Sequence, residues 1–159
     1  LFSACQRKAP PTRPAPPPPA TIIPASPAAY VATAASIDLF VVRASQLALE
    51  RSSDAGTRAL ATALLAEHRG LASQLSFAGR RLNILPRARM QEREEQRLAW
   101  LMTQTPFDTS YVRQMLGSHE QSLKLHGDFV ARGGSPTLRP VAASAMRVER
   151  NHIDRLRGV

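Results

Sequence analysis

Apolar residues recur three and four positions apart through most of the chain after residue 26, the period of helices that bury one face. Ser26-Pro27 opens the first such stretch, since serine caps helices and proline is favoured at the first helical position. From there Ile37, Phe40, Val41, Ala44, Leu47 and Ala48 fall on one face, with Asp38, Arg43, Gln46 and Glu50 off it. The pattern predicts a helix over residues 27–52. Ser53-Asp54 offers the next cap, and Leu60, Leu64, His68, Leu71, Ala72 and Leu75 carry a second stripe to near Arg81.

Residues Pro86 to Met102 are charged and only weakly amphipathic, with Met90, Leu98 and Leu101 as apolar contacts. They predict a shorter, partly exposed helix. Thr105-Pro106-Phe107-Asp108 breaks the chain, and Asp108 is a good cap for the next stripe: Tyr111, Val112, Met115, Leu116, His119, Leu123 and Val130. That helix stops at Gly133-Gly134. Ser135-Pro136 repeats the cap signal before Leu138, Val141, Ala142, Ala145, Val148, His152 and Leu156. Pro140 falls in the opening turn, where a missing N–H costs little. Four long amphipathic helices with short loops and one extra short helix predict an all-α, antiparallel four-helix bundle over residues 27–159.

Composition supports this reading. Hydrophobic residues make up 43% of the chain but aromatics only 5%, so the core is built from Leu, Ala, Val and Met. A β-sandwich would call for more aromatic and β-branched side chains. No apolar run approaches the ~20 residues that a membrane-crossing helix needs.

The first 26 residues are of another kind. Nine of the 13 prolines lie between residues 6 and 27, which favours extended polyproline II over helix or sheet. Residues 6–26 read as a disordered tether. Ahead of it, Leu1-Phe2-Ser3-Ala4-Cys5 is similar to the end of a bacterial lipoprotein signal, an apolar residue and two small ones before a cysteine. On that likeness Cys5 is the lipidated N-terminus of an envelope protein that meets the membrane through its acyl chains. Gln6-Arg7 carries no aspartate retention signal, which points to the outer rather than the inner membrane.

The net charge is +9, and 18 basic residues face 12 acidic ones after residue 26. They are spread along the helices and not gathered in a block. With no recognised nucleic-acid module and no basic–aromatic interleaving, no nucleic-acid partner is expected. No G-x-S-x-G, phosphate-cradling glycine loop or Ser–His–Asp pattern is present, so a non-enzymatic binding or structural role without a cofactor is expected.

Several ordered landmarks carry a family resemblance: Leu47-Ala48, Glu67-His68, Phe107-Asp108 followed by Tyr111-Val112, then His119 and His152. Over roughly residues 28–158 the chain resembles a bacterial family of exported, ferritin-like proteins, a domain of unknown function often labelled outer-membrane. The resemblance implies a ferritin-like four-helix fold and no established reaction. Val41 and Arg43 occupy the region where that family often has a Glu, and Ser118 stands where an acid usually precedes the histidine.

His68, His119 and His152 lie on the apolar stripes of three different helices, and Glu149 precedes His152 by three, on the same helix face. A di-iron bundle needs two Glu-x-x-His motifs and a Glu from each remaining helix. That count fails, because Leu65 replaces the second acid and Asp38 and Glu50 are off the inner stripe of the first helix. A zinc, copper or iron site made by His68, His119, His152 and Glu149 is the alternative to a purely structural role. In the structural role, each imidazole packs on its ring and bonds a carbonyl or acid on a neighbouring helix. His126 is assigned no part.

Overall fold

A computed structural model describes residues 26–159. Cys5 and all but the last residue of the Pro-rich tether lie outside them. The chain forms five helices in order: α1 (Pro27–Arg51), α2 (Ala55–Arg80), α3 (Glu92–Met102), α4 (Phe107–Arg132) and α5 (Arg139–Arg157). No strand occurs among the described residues.

The starts of the first two helices follow the sequence. Ser26 Oγ accepts the N–H of Ala29, and Pro27 occupies the first position of α1. Asp54 accepts the N–H of Thr57 at 2.7 Å to cap α2. The later starts differ. The sequence pattern puts the third helix from Pro86, but it begins at Glu92, where Glu92, Glu94 and Glu95 place three carboxylates against the positive end of the helix dipole. Asp108 is not the cap of α4: Phe107 is already helical, and Asp108 serves the first turn instead. Ser135 does accept the N–H of Leu138, but it closes a turn ahead of α5, which starts at Arg139 with Pro140 in its first turn.

The four long helices form a square in which α1–α2 and α4–α5 are the closely packed hairpins, α1–α4 is the third side, and α2–α5 the most sparsely packed. The short α3 lies across α1 and α4. It is pinned by Ser36, whose Oγ donates to buried Glu94 at 2.9 Å and accepts the N–H of Gln91 at 2.8 Å.

Two apolar clusters fill the interior. One gathers Phe40, Ala44, Leu64, Leu101, Tyr111, Met115 and Leu156; the other, Tyr30, Leu75, Phe129, Leu138 and Ala142. Between them the core turns polar. By length and composition α1 alone among the described helices is apolar enough to cross a membrane, but 56% of that stretch is buried within the bundle. Its apolar character is used against α2 and α4 on two faces.

Candidate metal centre

The polar layer between the two clusters contains His68 from α2, His119 from α4, and Glu149 and His152 from α5, all buried. The i, i+3 spacing puts Glu149 and His152 on one face of α5. Antiparallel packing brings His68 and His119 to the same level. The three imidazole rings make a near-equilateral triangle, with centroids 5.0, 5.0 and 5.3 Å apart. One nitrogen or oxygen from each of the four residues falls within 4.8 Å of all the others.

Each side chain is also tied from behind. His119 Nδ1 donates to the Met115 carbonyl at 2.6 Å, which leaves Nε2 as a lone pair. His152 Nε2 donates to Glu67 Oε2 at 2.6 Å, which leaves Nδ1 as a lone pair, buried and without a partner. Glu149 Oε1 accepts from Ser122 at 2.8 Å, and its Oε2 is buried without a partner, 3.9 Å from His119 Nε2. His68 Nδ1 meets Asp38 Oδ1 at 2.8 Å, while its Nε2 lies 3.1 Å from His119 Nε2.

The last pair fixes the proton positions. Because His119 Nε2 is an acceptor, His68 Nε2 must carry the hydrogen between them. His68 Nδ1 then accepts, and Asp38 donates as a neutral acid. Burial pushes Asp38 up to about 7 and His68 down to about 3, in keeping with this assignment. Burial also raises Glu149 to about 8, and it holds His119 well below the ordinary histidine range and His152 below it. At neutral pH the cluster is thus three neutral imidazoles and a protonated Glu149.

One of the sequence expectations is corrected here. Asp38 does not point away from the interior: it is 3% exposed and bonded to His68. Glu50 is exposed, as expected. His126 is also buried, with Nδ1 2.9 Å from the Tyr30 hydroxyl, and burial lowers its pKa to about 4. In the sequence Glu67 is only the neighbour of His68, yet in the fold it serves His152. The signal for Asp38 was available, since it lies four residues after Ala34 and three before Val41, at helical spacing in the stripe. Its charge concealed it.

The fold and the site define an all-helical bundle with a buried cluster of three histidines and a glutamate. The chain belongs to the family described as Domain of unknown function (DUF4142), whose profile matches residues 10–159. No curated protein matches it in sequence. Among solved structures, a DUF305 fragment from Deinococcus radiodurans is similar at a TM-score of 0.73 and 18% identity, over 89% of this chain and 97% of that one. CopM is similar in its Cu(II)-bound form at a TM-score of 0.71 and 12% identity, over 84% of this chain and 95% of that one. Its Cu(I)-bound form gives 0.71 and 13%, over 84% and 94%. At these identities the likeness is one of fold.

Proposed function

We propose that this protein is a non-enzymatic metal-binding bundle that holds one transition-metal ion at His68, His119, His152 and Glu149. The observation that carries this is the polarity of the cluster. Four side chains from three helices are each tied outward by one atom and turn the other inward, and two of the inward atoms, His152 Nδ1 and Glu149 Oε2, are buried without a partner. Left so, each unpartnered buried group costs about 1–3 kcal/mol. A cation at the common point satisfies them once Glu149 and Asp38 release their protons and the hydrogen of His68 sits on Nδ1, facing the ionised Asp38, which frees Nε2 as a ligand.

Three imidazoles and a carboxylate suit copper(II) or zinc(II), whereas calcium and magnesium prefer oxygen donors. The second carboxylates of a di-iron centre are not in the cluster. Charge favours a divalent ion: with Glu149 and Asp38 both ionised, two negative charges balance two positive ones. Asp38, the Met115 carbonyl, Glu67 and Ser122 supply the outer bonds that orient metal ligands. That CopM, of the same fold, is a copper-bound structure adds support for copper. A purely structural role accounts for the outward bonds but leaves the inward lone pairs unexplained. The lipidated Cys5 and the tether, on this reading, hold the bundle at a membrane of the bacterial envelope.

Elemental analysis tests the proposal, on full-length protein exported by its own host and purified without chelator. Near-stoichiometric copper or zinc, lost in His119→Ala, is the expected result. Protein free of metal, which also fails to take up added copper(II) or zinc(II), would overturn it.

A further inference from the structure

A fully buried metal site needs a way in, and the four outer bonds around it are not alike. Asp38 and Ser122 are buried, and the Met115 carbonyl belongs to the α4 backbone. Glu67 is the exception. Its side chain is 43% exposed, yet Oε2 holds His152 at 2.6 Å, while Oε1 lies 3.5 Å from the Arg155 guanidinium. Among the described residues it is the one substantially exposed carboxylate that bonds a metal ligand.

The other sides are more closely packed, and the surface pocket on the α1–α2 side is lined by Asp38 but by none of the four ligands. The two apolar clusters stopper the bundle along its axis. The α1–α2 and α4–α5 sides are the tightly packed hairpins, and α3 lies over α1 and α4. There remains the sparsely packed seam between α2, which carries Glu67, and α5, which carries His152 and Arg155. Among the described residues, the bonds of Glu67 to His152 and Arg155 are the only polar side-chain links across it.

We infer that the metal ion enters and leaves through the α2–α5 seam, with Glu67 as its gate, an inference that rests on the metal-binding role proposed for the cluster. Closed, Glu67 keeps the proton on His152 Nε2 and so turns Nδ1 towards the site. Arg155 holds the gate shut from the solvent side. Opening needs a rotation of one exposed side chain, with no repacking of the core.

The experiment measures loading of copper(II) or zinc(II) by stopped flow and release to an excess of chelator, on the full chain. Glu67→Ala is expected to accelerate both, release by roughly tenfold or more, with a corresponding loss of affinity. Arg155→Ala is expected to accelerate both while leaving the affinity close to that of the wild type. Glu120→Gln removes an exposed carboxylate that pairs with Arg157 on the α4–α5 side, and it should leave both rates unchanged. Circular dichroism confirms that each variant is folded. If the wild type loads metal and neither Glu67→Ala nor Arg155→Ala alters the rate of loading, the gate is refuted and the metal site stands. If Glu120→Gln alters it as much as they do, the effect is general surface charge and the gate again falls. If the wild type takes up no metal, both readings fail together.

Discussion

Glu149 and Asp38 hold protons that solvated carboxylates give up, and this makes stability depend on pH in an unusual direction. An ordinary glutamate ionises near 4.5, so up to about 8 the folded chain keeps a proton on Glu149 that the unfolded chain has lost. This contribution is complete below the unfolded value and disappears as pH rises through about 7 for Asp38 and about 8 for Glu149. The histidines act oppositely. Their contribution is complete above 6.5 and is lost as pH falls towards about 4 for His126 and about 3 for His68. The two effects oppose each other between 4.5 and 6.5, and above 6.5 the carboxylates act alone. The metal-free protein should therefore melt at a lower temperature as pH rises from about 6.5 to about 8.5. With copper or zinc in excess the trend should reverse, since the metal displaces those protons. A metal-free melting temperature that stays level over the same interval would show both carboxylates to be ionised in the fold.

At the level of the element, two of the three glycines of α2, Gly70 and Gly79, have opposite requirements. The chain folds back after α2, and the N–H of Ile84 bonds the Gly79 carbonyl at 2.9 Å. A Cβ on Gly79 would run into the Ile84 carbonyl, well inside contact distance, whereas a Cβ on exposed Gly70 would meet nothing. Gly79→Ala should destabilise the fold by about 1–3 kcal/mol. Gly70→Ala should stabilise it by about 0.5–1 kcal/mol, because alanine loses less backbone entropy in a helix. Urea denaturation of the two variants distinguishes them, and equal shifts would contradict the close approach. The helices themselves were legible from the sequence because the period of the stripes, the caps of α1 and α2, and the breaks at Pro106 and Gly133 are local. The start of α3 was not, because Ser36, 55 residues from Gln91, secures it. The buried face of α4 was only partly legible. Its interior includes Ser118, Ser122 and His126, while Leu116, Leu123 and Val130 are only half-buried.

For the whole molecule, the distribution of charge and the order of segments bear on location. The bundle carries its excess of arginines over the surface, with several paired to Glu67, Glu120 or Asp128. On the proposal that Cys5 is lipidated, the anchor lies there and not on the bundle. Expressed in a bacterium with a complete lipoprotein leader, the protein should fractionate with membranes, and Cys5→Ala should move most of it to the soluble fraction. Retention of the variant on membranes would instead place the attachment on the bundle.

The sequence by itself determined five helices, an interior of aliphatic side chains, and three histidines and a glutamate on inward faces. These follow from local periodicity and from the cost of burying or exposing each residue type. The tertiary structure alone decided that His68, His119, His152 and Glu149 converge within 4.8 Å, that Asp38 turns inward to His68, and that Glu67 reaches across to His152. Helical spacing places a side chain on a face, but the level at which faces from different helices meet depends on packing across the bundle. The same packing makes a buried Asp38 tolerable, because His68 is there to bond it.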